Sequence, residues 1–177
     1  MMEPTNTVVV TPSAIGIRYG LLTGLVSIII SFGLYALHLE QNSYLRFITS
    51  VVLIVGIVLA QREYKQLNGG FMSYGEGLII GALVSVVVGV LSAAFVYVYT
   101  TFIDPETMTR AMDKARADME AKGTMSDAQI DQAMALSSKF TSGPILLVFV
   151  ILGTLFMGFL VSLIASAFVK NPKPEFE

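Results

Sequence analysis

Residues 77–102 and 144–169 contain no Asp, Glu, Lys, Arg or His, and no other feature restricts the fold as much. An α-helix rises about 1.5 Å per residue, so about 20 apolar residues cross the roughly 30 Å hydrocarbon layer of a bilayer. Backbone amides in lipid must be bonded within their own segment, which makes helices the economical form of such runs. Two further segments read the same way: 15–37 is apolar apart from Arg18, and 44–61 is shorter and carries Arg46 near its start. The expectation is an all-α integral membrane bundle of four transmembrane helices in one domain. An extramembrane helical hairpin, 104–140, falls between the third and fourth spans.

Composition agrees. Charged residues make up 14% of the 177-residue chain and apolar residues 54%, where soluble domains carry about 25% charge. A net charge of −2, with no Lys/Arg run interleaved with aromatics, gives no surface for tracking phosphates, so nucleic acid is excluded as a partner. The absence of cysteine excludes disulfides, thiolate metal sites and a Cys nucleophile. Residues 1–14 hold Glu3 and no Lys or Arg, unlike the basic start of a cleaved leader, so the first apolar run is expected to be retained.

The span ends carry helix punctuation. Ser73 and Glu76 fit a capping box, Pro144 suits a first helical turn, and the tyrosines gather near span ends. With four spans, one side holds Arg18, Arg62, Lys65, Lys170 and Lys173, and the other holds Arg46, Arg110, Lys114, Arg116, Lys122 and Lys139. Arg62, Lys65, Lys170 and Lys173 sit directly against span ends, where the positive-inside bias acts most strongly, so both termini are expected in the cytoplasm.

In the hairpin, Asp104-Pro105-Glu106 is a helix start and Gly123 a stop; Ser126 and Gln129 form a second capping box. Met108, Met112, Ala115 and Met119 fall on one face of the first helix, and Ile130, Ala133, Met134 and Ser137 on one face of the second. These stripes are expected to pack on each other or on the membrane surface. Thioether binding of Cu(I) by the methionines is the sharper alternative, and their spacing does not favour it.

Within the spans, small residues recur every fourth position: Gly16, Gly20 and Gly24; Gly77, Gly81, Ser85 and Gly89; Thr154, Gly158, Ser162 and Ser166. Such seams let helix backbones approach closely in lipid. They are expected to form the core of the bundle, with Gly56 and Ala60 as a smaller contact; the alternative makes one seam a dimer surface. Tyr19-Gly20 and Tyr74-Gly75 hint at a parallel repeat.

No ionisable residue lies near a span centre, where transport and proton-relay groups usually sit. Arg18 and Glu76 are candidates for an interfacial ion pair on one side, and Arg46 with Glu40 or His38 on the other. His38 is the sole histidine, so multi-histidine metal sites are excluded, and no phosphate-binding loop is present. No catalytic residue, cofactor or metal is expected.

The run Gln61-Arg62-Glu63-Tyr64-Lys65, then Asn68-Gly69-Gly70-Phe71 and Ser73-Tyr74-Gly75-Glu76-Gly77, resembles a bacterial membrane family catalogued as domain of unknown function 4199. The likeness extends through Tyr19-Gly20, the Asp104-Pro105 hairpin and a closing span ending at Lys170. It implies four helices in the bacterial cytoplasmic membrane and no assigned activity. The expected function is non-enzymatic, in membrane lipid, through a protein partner or a homo-oligomer. The alternative is a small transporter or channel subunit with a path lined by Ser27, Ser31, Ser85, Ser92, Thr154, Ser162 and Ser166.

Overall fold

The computed structural model describes residues 10–40, 42–141 and 143–173. Residues 1–9, on which the leader reading partly rests, and the side chain of Arg46 lie outside the described set. Six α-helices follow one another: α1 (Pro12–Ala36), α2 (Ser43–Leu67), α3 (Tyr74–Val98), α4 (Glu106–Lys122), α5 (Asp127–Phe140) and α6 (Gly143–Val169). A π-helical turn, Tyr99–Ile103, extends α3. Among the described residues, four helices are long and apolar enough to cross a membrane: α1, α2 from Phe47, α3 with its π turn, and α6. The chain is an all-α membrane bundle.

Local chemistry sets the ends. Thr11 accepts from the Ala14 amide at 3.3 Å with Pro12 following, so α1 begins three residues before the apolar run does. The Asn42 side chain accepts from the Tyr44 and Leu45 amides at 3.0 and 3.4 Å. Glu76 accepts from the Ser73 amide at 2.7 Å, while Ser73 accepts from the Glu76 amide at 3.2 Å, closing a capping box on α3. Asp104 accepts from the Glu106 amide at 3.2 Å, and Gly123 ends α4 at φ +62°, a left-handed conformation that glycine adopts without a Cβ penalty. The second span departs from expectation: α2 does not stop at 61 but runs to Leu67, where Glu63 and Lys65 find partners on α1 and α6.

α3 is the central element. Its small-residue face meets α6 in antiparallel register, level by level. A Cβ on Gly77 would lie 2.5 Å from Ser166 Oγ; one on Gly81 would collide with Ser162, and one on Gly158 with Ser85; one on Gly89 would lie 3.3 Å from Thr154. Three successive levels therefore pair one glycine with one serine. The hydroxyls do not obstruct this approach, since Ser85 donates to Gly81 O and Ser162 to Gly158 O, each at 2.7 Å. Ser85 and Ser162 each hide the polar group against their own helix and present little more than a Cβ, while Ser166 Oγ accepts from Gln61 Nε2 at 3.0 Å.

A different face of α3 serves α1, with branched side chains seated over glycines. The Cβ positions of Gly16, Gly20 and Gly24 lie 2.8, 2.7 and 2.5 Å from atoms of Leu83, Val87 and Leu91 respectively. Ile80, Val84 and Val88 of α3 join Leu53, Ile57, Ala60 and Tyr64 of α2 in one buried cluster. Thr23 of α1 occupies the space that a Cβ on Gly56 would need. The Tyr19-Gly20 and Tyr74-Gly75 pairs are not equivalent, because Gly20 is packed on Val87 and a Cβ on Gly75 would meet nothing within 4 Å.

The outer surface is apolar, as a lipid solvent requires. α6 buries only Gly158, Ser162, Ala165 and Ser166, and turns Phe156, Ile164 and Phe168 outward at 66, 64 and 85% exposure.

Gly81→Leu should destabilise the bundle by about 1–3 kcal/mol, the usual cost of overpacking, whereas Gly33→Leu, where an added Cβ has open space, should be close to neutral. Unfolding in mild detergent with light scattering would check both. A Gly81→Leu protein of unchanged stability and altered oligomer size would assign the seam to an interface between copies.

Candidate functional site: polar clusters at the two ends of the bundle

The last two turns of α2 tie it to every other long helix. Gln61, fully buried, donates from Nε2 to Gly77 O on α3 and to Ser166 Oγ on α6, each at 3.0 Å. Glu63 meets α1: Arg18 Nη1 lies 2.9 Å from its Oε1, and the Tyr19 hydroxyl donates to its Oε2. Tyr64 donates to Glu76 Oε1 of α3 at 2.6 Å. Lys65 donates to Val169 O at 3.0 Å, satisfying a carbonyl at the end of α6 that has no acceptor role inside its helix.

The connection between α2 and α3 is clamped to the segment after α6. Gly69 and Gly70 turn at φ +66° and +87°. Met72 and Asn171 exchange backbone hydrogen bonds of 2.9 and 2.8 Å, and Asn171 Nδ2 donates to Gly70 O at 2.9 Å. Lys173 lies 6.0 Å above the Phe71 ring. The residues that carry the family resemblance, dispersed over 61–77 in sequence, thus converge on one interhelical lock.

The expected pair of Arg18 with Glu76 is not formed. Arg18 reaches Glu63 instead, because α2 continues far enough to bring that carboxylate between α1 and itself, and Glu76 is held by its capping box and Tyr64. Gln61 is the residue that sequence reasoning missed. A lone amide closing an uncharged run looked like a helix end, but two further turns carry the chain beyond it.

At the opposite end, α3 hands over to the hairpin through the π turn. Tyr99 is buried and packs edge-on against Phe32 and Tyr35, with ring centroids 6.4 and 4.9 Å away. Asp104 then accepts from both terminal guanidinium nitrogens of Arg110, with Nη1 3.4 Å from Oδ1 and Nη2 on Oδ2. Thr107 donates to Asp104 Oδ2 at 3.0 Å. The Arg110 hydrogen bond, helped by Thr107 and the Glu106 amide against some burial, holds the Asp104 carboxyl below its ordinary range, and the same bond raises Arg110. Glu40 is buried and acts on Arg110 through space; its expected partner Arg46 has no described side chain. His38 Nδ1 lies 3.9 Å from Asp104 Oδ2.

The hairpin stripes face each other: Ile130 is buried, and Met108, Met112, Met119, Ala133 and Met134 are half-buried. Arg116 bridges the two helices to Asp131 at 2.8 Å and also binds Glu120 at 2.9 Å; these bonds, Glu120 first, raise its pKa.

The hydroxyls proposed for a path divide into two sets. Ser85, Ser162 and Ser166 lie at 0% exposure in the α3–α6 seam. Ser27, Ser92 and Thr154 instead line a cavity of about 370 Å³ with Thr49 and Ser50; Ser31 is not among its lining residues. Among the described residues no group of three or more His, Asp or Glu is placed to hold a metal ion.

The helices, the glycine–serine seam and the interhelical lock define a small all-α membrane bundle with a polar hairpin on one end. The chain belongs to the family described as "Protein of unknown function (DUF4199)", which it matches over residues 18–171. No curated protein and no solved structure matches it.

Gln61→Leu removes two interhelical bonds and should lower stability by about 0.6–1.7 kcal/mol, the range for such bonds in a membrane bundle; Gln61→Glu, which buries a charge, should cost more. Unfolding in bicelles would read both. Asp104, whose pKa is depressed when folded, stabilises the junction at neutral pH, and this contribution disappears as pH falls below the ordinary value of 3.8. Protection against hydrogen exchange over 106–110, taken relative to the intrinsic rate at each pH, should therefore fall only in that acidic range, and Asp104→Asn should lower it at pH 7.

Proposed function

We propose that this protein is a non-enzymatic, multi-pass protein of the bacterial cytoplasmic membrane that acts by contact with a protein partner, presented with the α4–α5 hairpin. The observation that carries this reading is the hairpin's independence. Its helices pack on each other, and among the described helical elements they meet the rest of the chain at the π turn and α6, with Glu40 of the α1–α2 connection acting on Arg110. It leaves Leu136 and Met125 exposed, at 55 and 47%, amid charged residues. Its underside and the ends of α3 and α6 frame a groove of about 510 Å³ lined by Tyr97, Met108, Met112, Thr141 and Leu147.

The charged groups near the bundle support the same view, since Arg18, Glu63, Lys65 and Glu76 are engaged in helix packing. The transporter reading is less well supported, because Ser85, Ser162 and Ser166 sit inside a packed seam. Arg62, Lys65, Lys170 and Lys173 belong to the end where the α2–α3 turn meets the tail, which favours placing that end in the cytoplasm and the hairpin outside it.

The absence of cysteine makes single-site labelling unambiguous. A membrane-impermeant maleimide should label Met125→Cys on intact cells and leave Leu67→Cys unlabelled. A photoreactive residue at position 136 should give a discrete crosslinked species in native membranes. Failure of all exposed hairpin positions to crosslink to any protein, including a second copy, would sink the proposal.

A further inference from the structure

The cavity between α1, α2, α3 and α6 has a wall chemistry unlike the rest of the bundle interior. Its lining brings hydroxyls from all four helices together: Ser27, Thr49, Ser50, Ser92 and Thr154. None of the lining residues is ionisable. Ser27 is the informative member. Ser85, Thr100 and Ser162 elsewhere in the bundle, and Thr154 in the lining itself, donate to the carbonyl four residues back at 2.7–2.8 Å. Ser27 is 98% buried, at 2% exposure, and its Oγ has no hydrogen-bond partner in the structure. A buried hydroxyl left without a partner is unfavourable, and this one borders a cavity whose lining carries four further hydroxyls.

The position of the cavity says where an occupant comes from. α2 and α6 both border the cavity, through Thr49, Ser50 and Leu53 on one side and Phe149, Gly153 and Met157 on the other. Phe149, Gly153 and Met157, which line the cavity, are exposed on the outer face of α6. The opening therefore faces the apolar perimeter of the bundle, where lipid lies. Its 370 Å³ falls at the small end of ligand-pocket volumes, roughly 300–1,000 Å³.

We infer that this cavity is a binding chamber for the uncharged, hydrogen-bonding head of a slim amphiphile that enters sideways from the bilayer between α2 and α6. A charged head has no counter-charge in the lining. A plain hydrocarbon leaves the Ser27 hydroxyl unsatisfied. An alcohol or similar neutral polar group satisfies it while its chain follows the apolar wall of Leu53, Val88 and Met157 out to the lipid.

The test uses the full chain in lipid nanodiscs and three photoreactive probes with the same diazirine-bearing ten-carbon chain: an alcohol, an alkane and a carboxylate. The alcohol should label residues 49–53 and 149–157, competed by unlabelled decan-1-ol and not by decane. Ser27→Ala should weaken labelling about fivefold, the order expected for one neutral hydrogen bond, without loss of thermal stability, since it deletes an unpartnered hydroxyl. Gly153→Leu, for which an added Cβ meets nothing within 4 Å, should fill the chamber and abolish labelling, and Gly33→Leu should leave it unchanged. Equal labelling by alcohol and alkane, labelling spread evenly over outward residues such as Phe156 and Phe168, or a signal unaffected by Ser27→Ala would overturn the inference and leave a chamber filled by water or lipid tails.

Discussion

The close antiparallel contact of α3 with α6 is the constraint on which the rest of the bundle depends. In lipid no hydrophobic drive separates a helix from acyl chains, so association rests on packing and on interhelical hydrogen bonds. Pairing a glycine with a serine at each level gives that packing its depth. The serine fills what the glycine vacates, and the hydroxyls of Ser85 and Ser162 bond to the preceding turn while that of Ser166 meets Gln61. Alternating the two residues between α3 and α6 also fixes register: a shift of one turn would set serine on serine at Ser85 and Ser162.

Register alone does not choose which helices are neighbours. That discrimination comes from the polar end of α2, where Gln61, Glu63, Tyr64 and Lys65 each bond to a different element or pair of elements. Burying an amide such as Gln61 within a membrane bundle is tolerable only where partners are fixed, and its two acceptors exist only when α3 and α6 are already side by side. Seam and lock are therefore mutually dependent, which favours one packing over the several that three small-residue faces would otherwise allow.

The existence of the helices was legible because lipid imposes it through length and hydropathy alone, and so were the caps, whose partners lie within four residues. The contacts of Arg18 and Gln61 were not. Ending the second span at the last uncharged residue, Gln61, before Arg62, hides the turns that place Glu63 beside Arg18 and Tyr64 beside Glu76. A charged residue at a span end reads as a loop when considered alone; whether it continues a helix is decided by groups far away in sequence. The seams were visible as spacing, but their pairing was not: nothing local says that α1 receives branched side chains over its glycines while α6 receives hydroxyls. The hydroxyl positions were treated as one path, although three of them support packing and three border a cavity.

The two ends of the molecule are built on opposite principles, and this bears on function. The end with the lock joins all four long helices through side chains that fix one another, an arrangement suited to holding a shape. The other end is joined in series: an aromatic cluster, a π turn, one Asp–Arg fork, then a hairpin whose internal contacts are its own. π turns interrupt the regular helical bonding and are frequent at functional positions; here the turn lies where a rigid bundle passes into an element that packs on itself. The hydroxyl-lined cavity lies on the hairpin's side of the lock, where α2 and α6 both border it. A ligand entering there would contact the segment of α6 that leads directly from α5, so occupancy and hairpin position share a physical connection through the first turns of one helix.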